Sequence, residues 1–491
     1  MNAPAKEPRG LRRWLVPGPA AIVSVLIVLS AATAPLESND LFFHLASGRW
    51  FLEHGGFPST DPFSPTASVQ APHEWVWGVL CELSVRMLGG AGPKLLVALL
   101  VTLCLGVLWR LIERSNEGVR EGALTRLVLF GAALSTLTFT WYQERPYHLA
   151  HLVFVCWLLA LMRWRETRTP SRAMAVILIS LVWANLHGSW VLGPIFLGAT
   201  LIGELVDGTA NAETLRRGGL VLFGCTIVAA VHPAGLGNLL YPVRHQFLGS
   251  TQIIEEWRPL DFSFGFTWVL VGLVIFAFGI LTRRRASPRR AGAVLLPAVA
   301  LACAAFWSRR HAPFAGMALA VGCAQFLDGG FDALEGLFSK WTSRSGGVAW
   351  AIVLWLALSV QAVLHRRTVR ESLDDDRYPV AALDALMAKP PGRVLAKFEW
   401  GGLVSAVAGP EFQTYIDSRN DPYPAEIHDG YQSMRTLKPD WKERLDAFHP
   451  DYVLWGGVGR DFSWPLVHAL EAEGWKRVAG DDVGVLLERP H

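Results

Sequence analysis

Residues 39–77 read NDLFFHLASGRWFLEHGGFPSTDPFSPTASVQAPHEWVW, and this segment organises the rest of the chain. It follows the first strongly apolar segment, and its apolar residues suit a helix at a membrane surface. Asp40 and His44 are four residues apart, so a helix places both on one face. Asn39 is suited to cap that helix, and Gly55 to end it. The segment therefore predicts a short helix that carries Asp40 and His44 side by side.

The same segment ends in a second polar cluster, His73-Glu74-Trp75, which follows a proline-rich turn. Trp75 suits stacking on a sugar ring, and His73 and Glu74 would then shape the site around that sugar. The alternative is that the pair ties the loop down through hydrogen bonds. The HExxH spacing of zinc proteases is missing. We expect residues 35–92 to be an outer loop that forms the floor of an active site.

The composition is that of a multi-pass membrane protein. Of the 491 residues, 52% are hydrophobic and only 18% are charged, which is too apolar for a soluble protein. The net charge of +3 is too small to indicate a nucleic-acid partner. The six cysteines show neither disulfide nor metal-site spacing. We therefore expect them to act as small, buried hydrophobic residues. Membrane lipids are therefore predicted partners, and no nucleic acid is expected.

Apolar segments of about spanning length recur throughout residues 1–365. They predict an all-α transmembrane domain of about eleven helices. The segments cover residues 15–34, 93–112, 123–141, 146–164, 173–189, 190–206, 218–232, 267–282, 293–307, 312–327 and 348–364. The stretch 76–90 is also apolar, but it carries Glu82 and Arg86, and we expect it to be an interfacial helix.

The distribution of basic residues predicts the orientation. Arginine and lysine residues cluster before the first span and in every second loop after it, which places those loops in the cytoplasm. An odd number of spans then puts the C-terminal region on the outer side. Most basic residues are arginine, as in proteins from GC-rich bacterial genomes. We therefore expect a bacterial inner (plasma) membrane protein with a cytoplasmic N-terminus and an extracytoplasmic C-terminal domain.

Residues 366–491 have a soluble composition and contain no apolar segment of spanning length. Predicted strands alternate with predicted helices, so a small soluble α/β domain is expected, and its length suits one domain. The predicted strands are residues 393–398, 412–417, 451–455 and 483–487, and the predicted helices are residues 379–388 and 464–474. The candidate loops for facing the membrane site are residues 399–402 and 417–421.

Asp40 stands just past the first predicted span, on the outer side. A carboxylate there serves either as the general base for an acceptor hydroxyl or as a ligand of a divalent metal. The alternative is a charge that the helix dipole stabilises. His44, one turn later, would bind metal, donate to a phosphate or lie at the interface. We take Asp40 and His44 as candidate catalytic residues and a divalent metal as the only cofactor that the sequence suggests.

Basic side chains on the outer side are the second main clue. A guanidinium group has the planar fork that suits phosphate oxygens, although arginines at helix ends also reach the membrane interface without binding a ligand. Several such groups on one side, against the positive-inside bias, favour a phosphate site. We predict that a donor phosphate is bound by Arg145, His187, Arg258, Arg309, Arg310 and His311.

Several short motifs resemble those of a group of bacterial multi-pass proteins. The motifs are Asp40-x3-His44, Gly56-Phe57-Pro58, Asp61-Pro62-Phe63-Ser64, His73-Glu74-Trp75, Asn185-Leu186-His187-Gly188, His232-Pro233-Ala234-Gly235, Tyr241-Pro242, Trp400-Gly401-Gly402 and Ile416-Asp417-Ser418-Arg419. That group is similar to the GT-C superfamily of glycosyltransferases, which includes protein O-mannosyltransferases and the aminoarabinose transferase of lipid A. The resemblance implies a multi-pass fold, a catalytic loop after the first span and polyprenyl-phosphate-linked sugar donors. It also implies that Asp40 matches the catalytic acidic residue of that loop.

Two departures from the GT-C pattern keep other functions open. Many GT-C enzymes carry paired acidic residues where this chain has Asn39-Asp40, and no DxD motif stands out in a second outer loop. The leading hypothesis is an inverting glycosyltransferase that transfers a sugar from a polyprenyl-phosphate donor to a glycan, lipid or protein acceptor. The alternatives are a non-catalytic lipid-linked glycan binder or envelope-assembly scaffold, and a transporter or flippase.

Overall fold

The structure is a computed structural model that describes residues 18–68, 74–115, 123–137, 143–246, 257–282, 291–326, 348–457 and 464–490. The chain forms two compact units. The first, called the helical unit, consists of Met1–Ala31, Val97–Tyr142 and Pro146–Leu358. The second, called the mixed unit, consists of Ala32–Leu96, Gln143–Arg145 and Ser359–His491. The basic residues before the first span and His73 lie outside the described residues.

Helices dominate the chain up to residue 364. Within the described ranges, in chain order, they are α1 (Pro19–Thr33), α2 (Asn39–His54), α3 (Trp75–Leu88), α4 (Gly92–Ser115), α5 (Ala123–Leu137), α6 (Tyr147–Thr167), α7 (Pro170–Leu186), α8 (Leu192–Val206), α9 (Ala212–Ile227), α10 (Gly237–Gln246), α11 (Gly265–Thr282), α12 (Gly292–Trp307), α13 (Ala312–Ala324) and α14 (Ala349–Leu364). Two short 3₁₀ turns bear on the candidate site. Gly188–Val191 leads into α8, and Arg309–His311 leads into α13.

Several of these helices have the length and composition to cross a membrane. Within the described ranges, the stretches with sufficient length and hydropathy are Trp75–Ser115, Tyr147–Thr167, Gly188–Val206 and Gly265–Thr282. Shorter apolar helices cover Pro19–Ala31, Leu124–Leu137, Pro170–Leu186, Gly292–Trp307 and Ala349–Leu364. The described residues thus form a mostly helical chain with helices long and apolar enough to cross a membrane, whereas the predicted number of eleven spans is not confirmed.

Polar and small residues join two helices of the helical unit closely. The Asp207 carboxylate, just after α8, accepts hydrogen bonds from the backbone N–H groups of Gly292 and Ala293 at 3.0 and 2.9 Å. A carboxylate at the start of α12 satisfies free N–H groups and complements the helix dipole. A Cβ atom on Gly203 would lie 2.4 Å from the carbonyl of Gly292. Helices α8 and α12 therefore pack backbone to backbone.

Buried tryptophans form the core of the helical unit near the predicted site. Trp157 on α6 and Trp183 on α7 are both fully buried, with ring centroids 6.3 Å apart. The Trp157 indole N–H donates to Ser180 Oγ at 2.9 Å, and the Trp183 indole N–H donates to Ser189 Oγ at 3.1 Å. Each buried indole thus has the hydrogen-bond partner that it needs. The second bond fixes the 3₁₀ turn that follows His187.

The C-terminal part of the mixed unit is a small α/β fold, as predicted. Its elements are α15 (Val380–Met387), β1 (Gly392–Ala396), α16 (Phe398–Val407), β2 (Phe412–Thr414), α17 (Ala425–Thr436), α18 (Trp441–Phe448), β3 (Tyr452–Gly456), α19 (Trp464–Ala472), β4 (Lys476–Gly480) and β5 (Gly484–Glu488). The strand order is β2-β1-β3-β5-β4. Strand β1 is parallel to β2 and β3, with Val394 opposite Tyr452, and β5 is antiparallel to β3 and β4. Leu395, Val453 and Trp455 are among its buried core residues.

The predicted outer loop packs against this sheet within the mixed unit. Strand β2 lies at one edge of the sheet, where the Thr414 N–H donates to the Phe63 carbonyl oxygen at 2.9 Å. Further along the loop, the Ser68 N–H donates to the Pro422 carbonyl oxygen at 2.8 Å. An uncovered edge strand is open to unwanted pairing. The loop therefore closes this edge.

Two local predictions in the mixed unit are wrong. Ser38, and not Asn39, is the N-cap residue of α2, and its side chain makes no capping bond. Residues 399–402, predicted as a loop, lie within α16. The glycines there let the backbone of α16 approach α2, since a Cβ atom on Gly402 would lie 3.0 Å from the backbone nitrogen of Phe43. Two consecutive glycines in a sequence usually indicate a turn. Here they lie in a helix because the close packing needs residues without a Cβ atom.

Helices α2 and α3 touch backbone to backbone at Gly48 and Gly78. A Cβ atom on Gly48 would lie 2.0 Å from the Gly78 carbonyl oxygen, so Gly48→Ala must force the two helices apart. We expect this variant to lower the free energy of unfolding by about 1–3 kcal/mol, measured by denaturant unfolding in detergent. Gly56→Ala is the matched control, because nothing lies within 4 Å of a Cβ atom there. An equal loss in both variants would contradict this explanation.

Candidate active site

Helix α2 positions the two candidate catalytic residues in the mixed unit. Asp40 lies in its first turn, where the helix dipole favours a negative charge. His44 follows one turn later and is only 3% exposed. Gly55 ends the helix with a φ of 70°, a left-handed conformation that glycine adopts without strain. The predicted short helix with Asp40 and His44 on neighbouring turns is therefore confirmed.

Asp40 forms an ion pair with Arg145. The distance from Arg145 Nη2 to Asp40 Oδ2 is 3.2 Å, and the two side chains are 24% and 27% exposed. Both side chains are about three-quarters buried, so solvent screens the pair only in part. The structure thus joins the candidate base to one of the residues predicted to bind a phosphate.

His44 lies next to Glu74, which the sequence assigns to substrate binding. His44 Nε2 is 3.7 Å from Glu74 Oε2, and both side chains are largely buried. The Trp75 ring packs against Phe51 and Phe57, with centroid distances of 5.1 and 6.0 Å. Trp75 therefore belongs to an aromatic cluster of this unit. Its stacking on a sugar stays a prediction.

His187 in the helical unit presents a hydrogen-bond donor. The backbone N–H of Ser189 donates to His187 Nδ1 at 3.0 Å, and the Ser189 hydroxyl oxygen is 2.8 Å from the same nitrogen. Because a backbone N–H can only donate, Nδ1 is the acceptor, and the neutral ring carries its proton on Nε2. In this tautomer Nε2 donates a hydrogen bond and has no lone pair for a metal ion.

Three predicted phosphate-binding arginines of the helical unit occupy different settings. Arg309 is 3% exposed, and its backbone N–H donates to the Arg258 carbonyl oxygen at 2.9 Å. The Arg258 side chain is exposed. The Arg310 guanidinium lies 4.1 Å from the centroid of the Trp257 ring, a cation–π arrangement. The turn before α13 thus concentrates positive charge at the start of that helix.

His311 adds a hydrogen-bonding group to this turn. Burial, followed by the nearby positive charge of Arg310 and by His187, lowers the pKa of His311 to about 3. The ring is therefore neutral near pH 7. Because His187 and Arg310 both affect the pKa of His311, these three predicted residues lie near one another in the helical unit. Arg145 belongs to the mixed unit.

The described residues do not form a metal site. Among them, no three His, Cys, Asp or Glu side chains lie close enough together to hold a metal ion. A divalent cation such as Mg²⁺ requires several oxygen ligands, and the Asp40 carboxylate faces the positive charge of Arg145. These residues do not fit a divalent cation.

Comparison with known proteins relates the chain to glycosyltransferases by structure only. No protein-family model matches the chain, and no curated protein matches its sequence. The oligosaccharyltransferase of Archaeoglobus fulgidus, tethered with an acceptor peptide, matches with a TM-score of 0.57 and 13% identity over 89% of this chain and 68% of that chain. The archaeal oligosaccharyltransferase AglB in complex with an inhibitory peptide and a dolichol-phosphate matches with a TM-score of 0.53 and 14% identity over the same shares.

A second kind of transferase matches over nearly the whole length of both chains. ArnT from Cupriavidus metallidurans, an aminoarabinose transferase, has a TM-score of 0.52 and 14% identity, covering 96% of this chain and 98% of that chain. At these identities the comparison establishes the fold alone. Both kinds of neighbour are GT-C glycosyltransferases. The chain therefore has a GT-C-like fold.

Proposed function

We propose that the protein is an inverting membrane glycosyltransferase. It transfers a sugar from a polyprenyl-phosphate-linked donor to a glycan, lipid or protein acceptor on the outer face of a bacterial inner membrane. The observation that carries the proposal is the partly exposed ion pair between Arg145 and Asp40. Asp40 lies in the first turn of α2, in a chain with a GT-C-like fold. The charge pattern of the loops supports a cytoplasmic N-terminus and an extracytoplasmic C-terminal domain.

In the proposed reaction Asp40 is the general base. It takes the proton of the acceptor hydroxyl while the hydroxyl oxygen attacks the anomeric carbon of the sugar. The bond between that carbon and the phosphate oxygen breaks, and its electron pair stays on the phosphate. Arg145 leaves Asp40 and stabilises the leaving phosphate, whose negative charge grows in the transition state. The same movement frees the carboxylate to accept the proton.

The other candidate residues bind the two substrates. His187 and His311 donate hydrogen bonds to phosphate oxygens, and the arginines of the helical unit supply positive charge. His44, whose Nε2 lies 3.7 Å from Glu74 Oε2, stays a candidate catalytic residue one helical turn from the base. The predicted phosphate-binding residues remain Arg145 in the mixed unit and His187, Arg258, Arg309, Arg310 and His311 in the helical unit, and the predicted sugar-binding residues remain His73, Glu74 and Trp75.

Binding of polyprenyl phosphate tests this proposal without knowledge of the sugar. We expect Arg145→Gln to weaken binding about tenfold, because a charge-assisted hydrogen bond to phosphate is lost. Binding is measured by native mass spectrometry of the full chain in detergent, with uncharged polyprenol as the reference lipid. Arg370→Gln is the control, since Arg370 pairs with Asp384 in the same unit. Equal weakening in both variants, or equal binding of polyprenol, would count against the proposal.

A non-catalytic binder of lipid-linked glycans is the second candidate function. The Tyr378 hydroxyl donates to Asn39 Oδ1 at 3.1 Å. Asn39 stands where many GT-C enzymes carry a second acidic residue. Its side chain is thus part of a structural contact. A binder would retain affinity for polyprenyl phosphate and transfer no labelled sugar in membranes. Sugar transfer by the wild-type chain would exclude this candidate.

A further inference from the structure

The start of helix α2 is held by residues that are distant in sequence. Its N-cap residue Ser38 makes no side-chain bond to the helix. The Tyr378 hydroxyl lies 3.1 Å from Asn39 Oδ1 and 3.0 Å from the Glu37 carbonyl oxygen. The first N–H groups of any helix lack partners within the helix. The position of this helix end therefore depends on side chains outside α2.

Glu144 is the principal partner. Its Oε2 atom accepts hydrogen bonds from the backbone N–H of Ser38 at 3.0 Å and of Glu37 at 3.4 Å. The Glu144 side chain is fully buried, and Lys94 Nζ lies 2.7 Å from its Oε1 atom. Lys94 is itself 5% exposed. Since a buried carboxylate needs a counter-ion, the two residues form one unit in energetic terms.

The residue after Glu144 contacts the candidate base. Glu144 binds the backbone just before α2, and Arg145 pairs with Asp40 in the first turn of the same helix. A carboxylate near a helix N-terminus is favourable because of the helix dipole. Two consecutive residues therefore fix both the start of the helix and the carboxylate that it carries. A shift of Glu144 would change the distance between Asp40 and Arg145.

We infer that Glu144, with buried Lys94 as its counter-ion, is the positioning residue for Asp40. Glu144 acts through the start of α2 and touches neither substrate. Its catalytic consequence rests on the proposed function, whereas its effect on the helix does not. The two parts can therefore be tested separately.

Hydrogen-exchange mass spectrometry of the full chain in detergent tests the positioning part. We expect the double variant Glu144→Ala with Lys94→Ala to accelerate exchange in the peptide covering residues 35–46 about tenfold, the size expected for the loss of a helix-cap interaction. Exchange in strands β1 and β3 should not change. Unchanged exchange in residues 35–46 would overturn the inference. Acceleration throughout the chain would also overturn it, because it would indicate a general structural role.

Two further variants identify the chemical cause. Glu144→Gln with Lys94→Met keeps an oxygen acceptor and removes both buried charges, so exchange should return close to the wild-type rate. Glu144→Asp keeps the charge but shortens the side chain, and should accelerate exchange in residues 35–46 even if the double alanine variant does not fold. The control is Glu488→Ala with Lys389→Ala, an ion pair of 2.8 Å elsewhere in the mixed unit. This control should leave residues 35–46 unaffected.

Steady-state sugar transfer tests the catalytic consequence. The double alanine variant should lose kcat about 10- to 100-fold with an unchanged KM for the polyprenyl-phosphate sugar, because misplacement of a base affects the chemical step. The Gln/Met variant should recover most of the kcat. A loss that appears in KM alone would overturn the positioning role. If the wild-type chain transfers no sugar while the exchange results hold, the proposed function fails and the structural role of Glu144 stands.

Discussion

We expect Asp40→Asn to lower kcat for sugar transfer by about 10²- to 10⁴-fold, the usual contribution of a general base. Asparagine has the shape of aspartate but cannot take the acceptor proton. Binding of polyprenyl phosphate should stay the same or tighten, because Arg145 loses the carboxylate that it contacts at 3.2 Å. Transfer is measured with labelled lipid-linked sugar in membranes that contain equal amounts of protein. Binding is measured in detergent on the same variants.

The control for this variant is Asp384→Asn, which removes a carboxylate of the same unit that is 39% exposed and pairs with Arg370. Transfer by this control should equal that of the wild type. If Asp40→Asn retains full transfer, Asp40 is not the base. Weaker lipid binding in Arg145→Gln, with unchanged or tighter binding in Asp40→Asn, is specific to the proposed mechanism, since a general loss of structure would weaken binding in both.

The helical part of the fold could be predicted because a helix in contact with lipid must be apolar along much of its length. Each apolar segment of the sequence overlaps one of the helices α1, α4 to α9 and α11 to α14. Helix α10 is not predicted, since Pro242, Arg244 and His245 interrupt its apolar pattern. The number of spans could not be predicted from hydropathy. Several helices that are too short to cross a bilayer are as apolar as the helices that are long enough.

The elements missed in the α/β fold lack the usual patterns. Strand β4 is an edge strand whose residues Lys476 and Arg477 are exposed, so no apolar alternation marks it. Helices α17 and α18 are mostly polar and bury only a narrow face. Helix α16 contains two consecutive glycines that contact the backbone of other segments closely. A Cβ atom on Gly402, for example, would lie 3.0 Å from the backbone nitrogen of Phe43. Such contacts are tertiary, and local propensity does not report them.

The residue types of the candidate site could be predicted, but their partners could not. Asp40 stands out because it follows a predicted span, and Arg145 because it is a basic residue on the predicted outer side. Their pairing joins segments that are far apart in the chain. Lys94 escapes notice because a lysine at the end of an apolar segment usually reaches solvent. Only its burial next to Glu144 shows that it is a counter-ion.

Arg419→Leu is expected to lower the free energy of unfolding by about 3–5 kcal/mol, the cost of breaking a buried ion pair from one side. Arg419 Nη1 lies 2.6 Å from Asp61 Oδ2, and Nη2 lies 2.8 Å from Asp417 Oδ2. The three side chains are 13%, 8% and 1% exposed, in that order. The variant leaves two buried carboxylates close together without a counter-ion. Denaturant unfolding in detergent, followed by tryptophan fluorescence, measures the loss.

Two comparisons separate the charge from the packing of Arg419. Arg444→Leu removes an exposed arginine that pairs with Asp440 at 3.1 Å, and stability should change little. Adding Asp61→Asn and Asp417→Asn to Arg419→Leu removes the unpaired charges, so much of the lost stability should return. A triple variant as unstable as the single one would assign the loss to packing. If Arg419→Leu is as stable as Arg444→Leu, the bridge does not hold the outer loop, and backbone bonds such as that from Thr414 to Phe63 must do so alone.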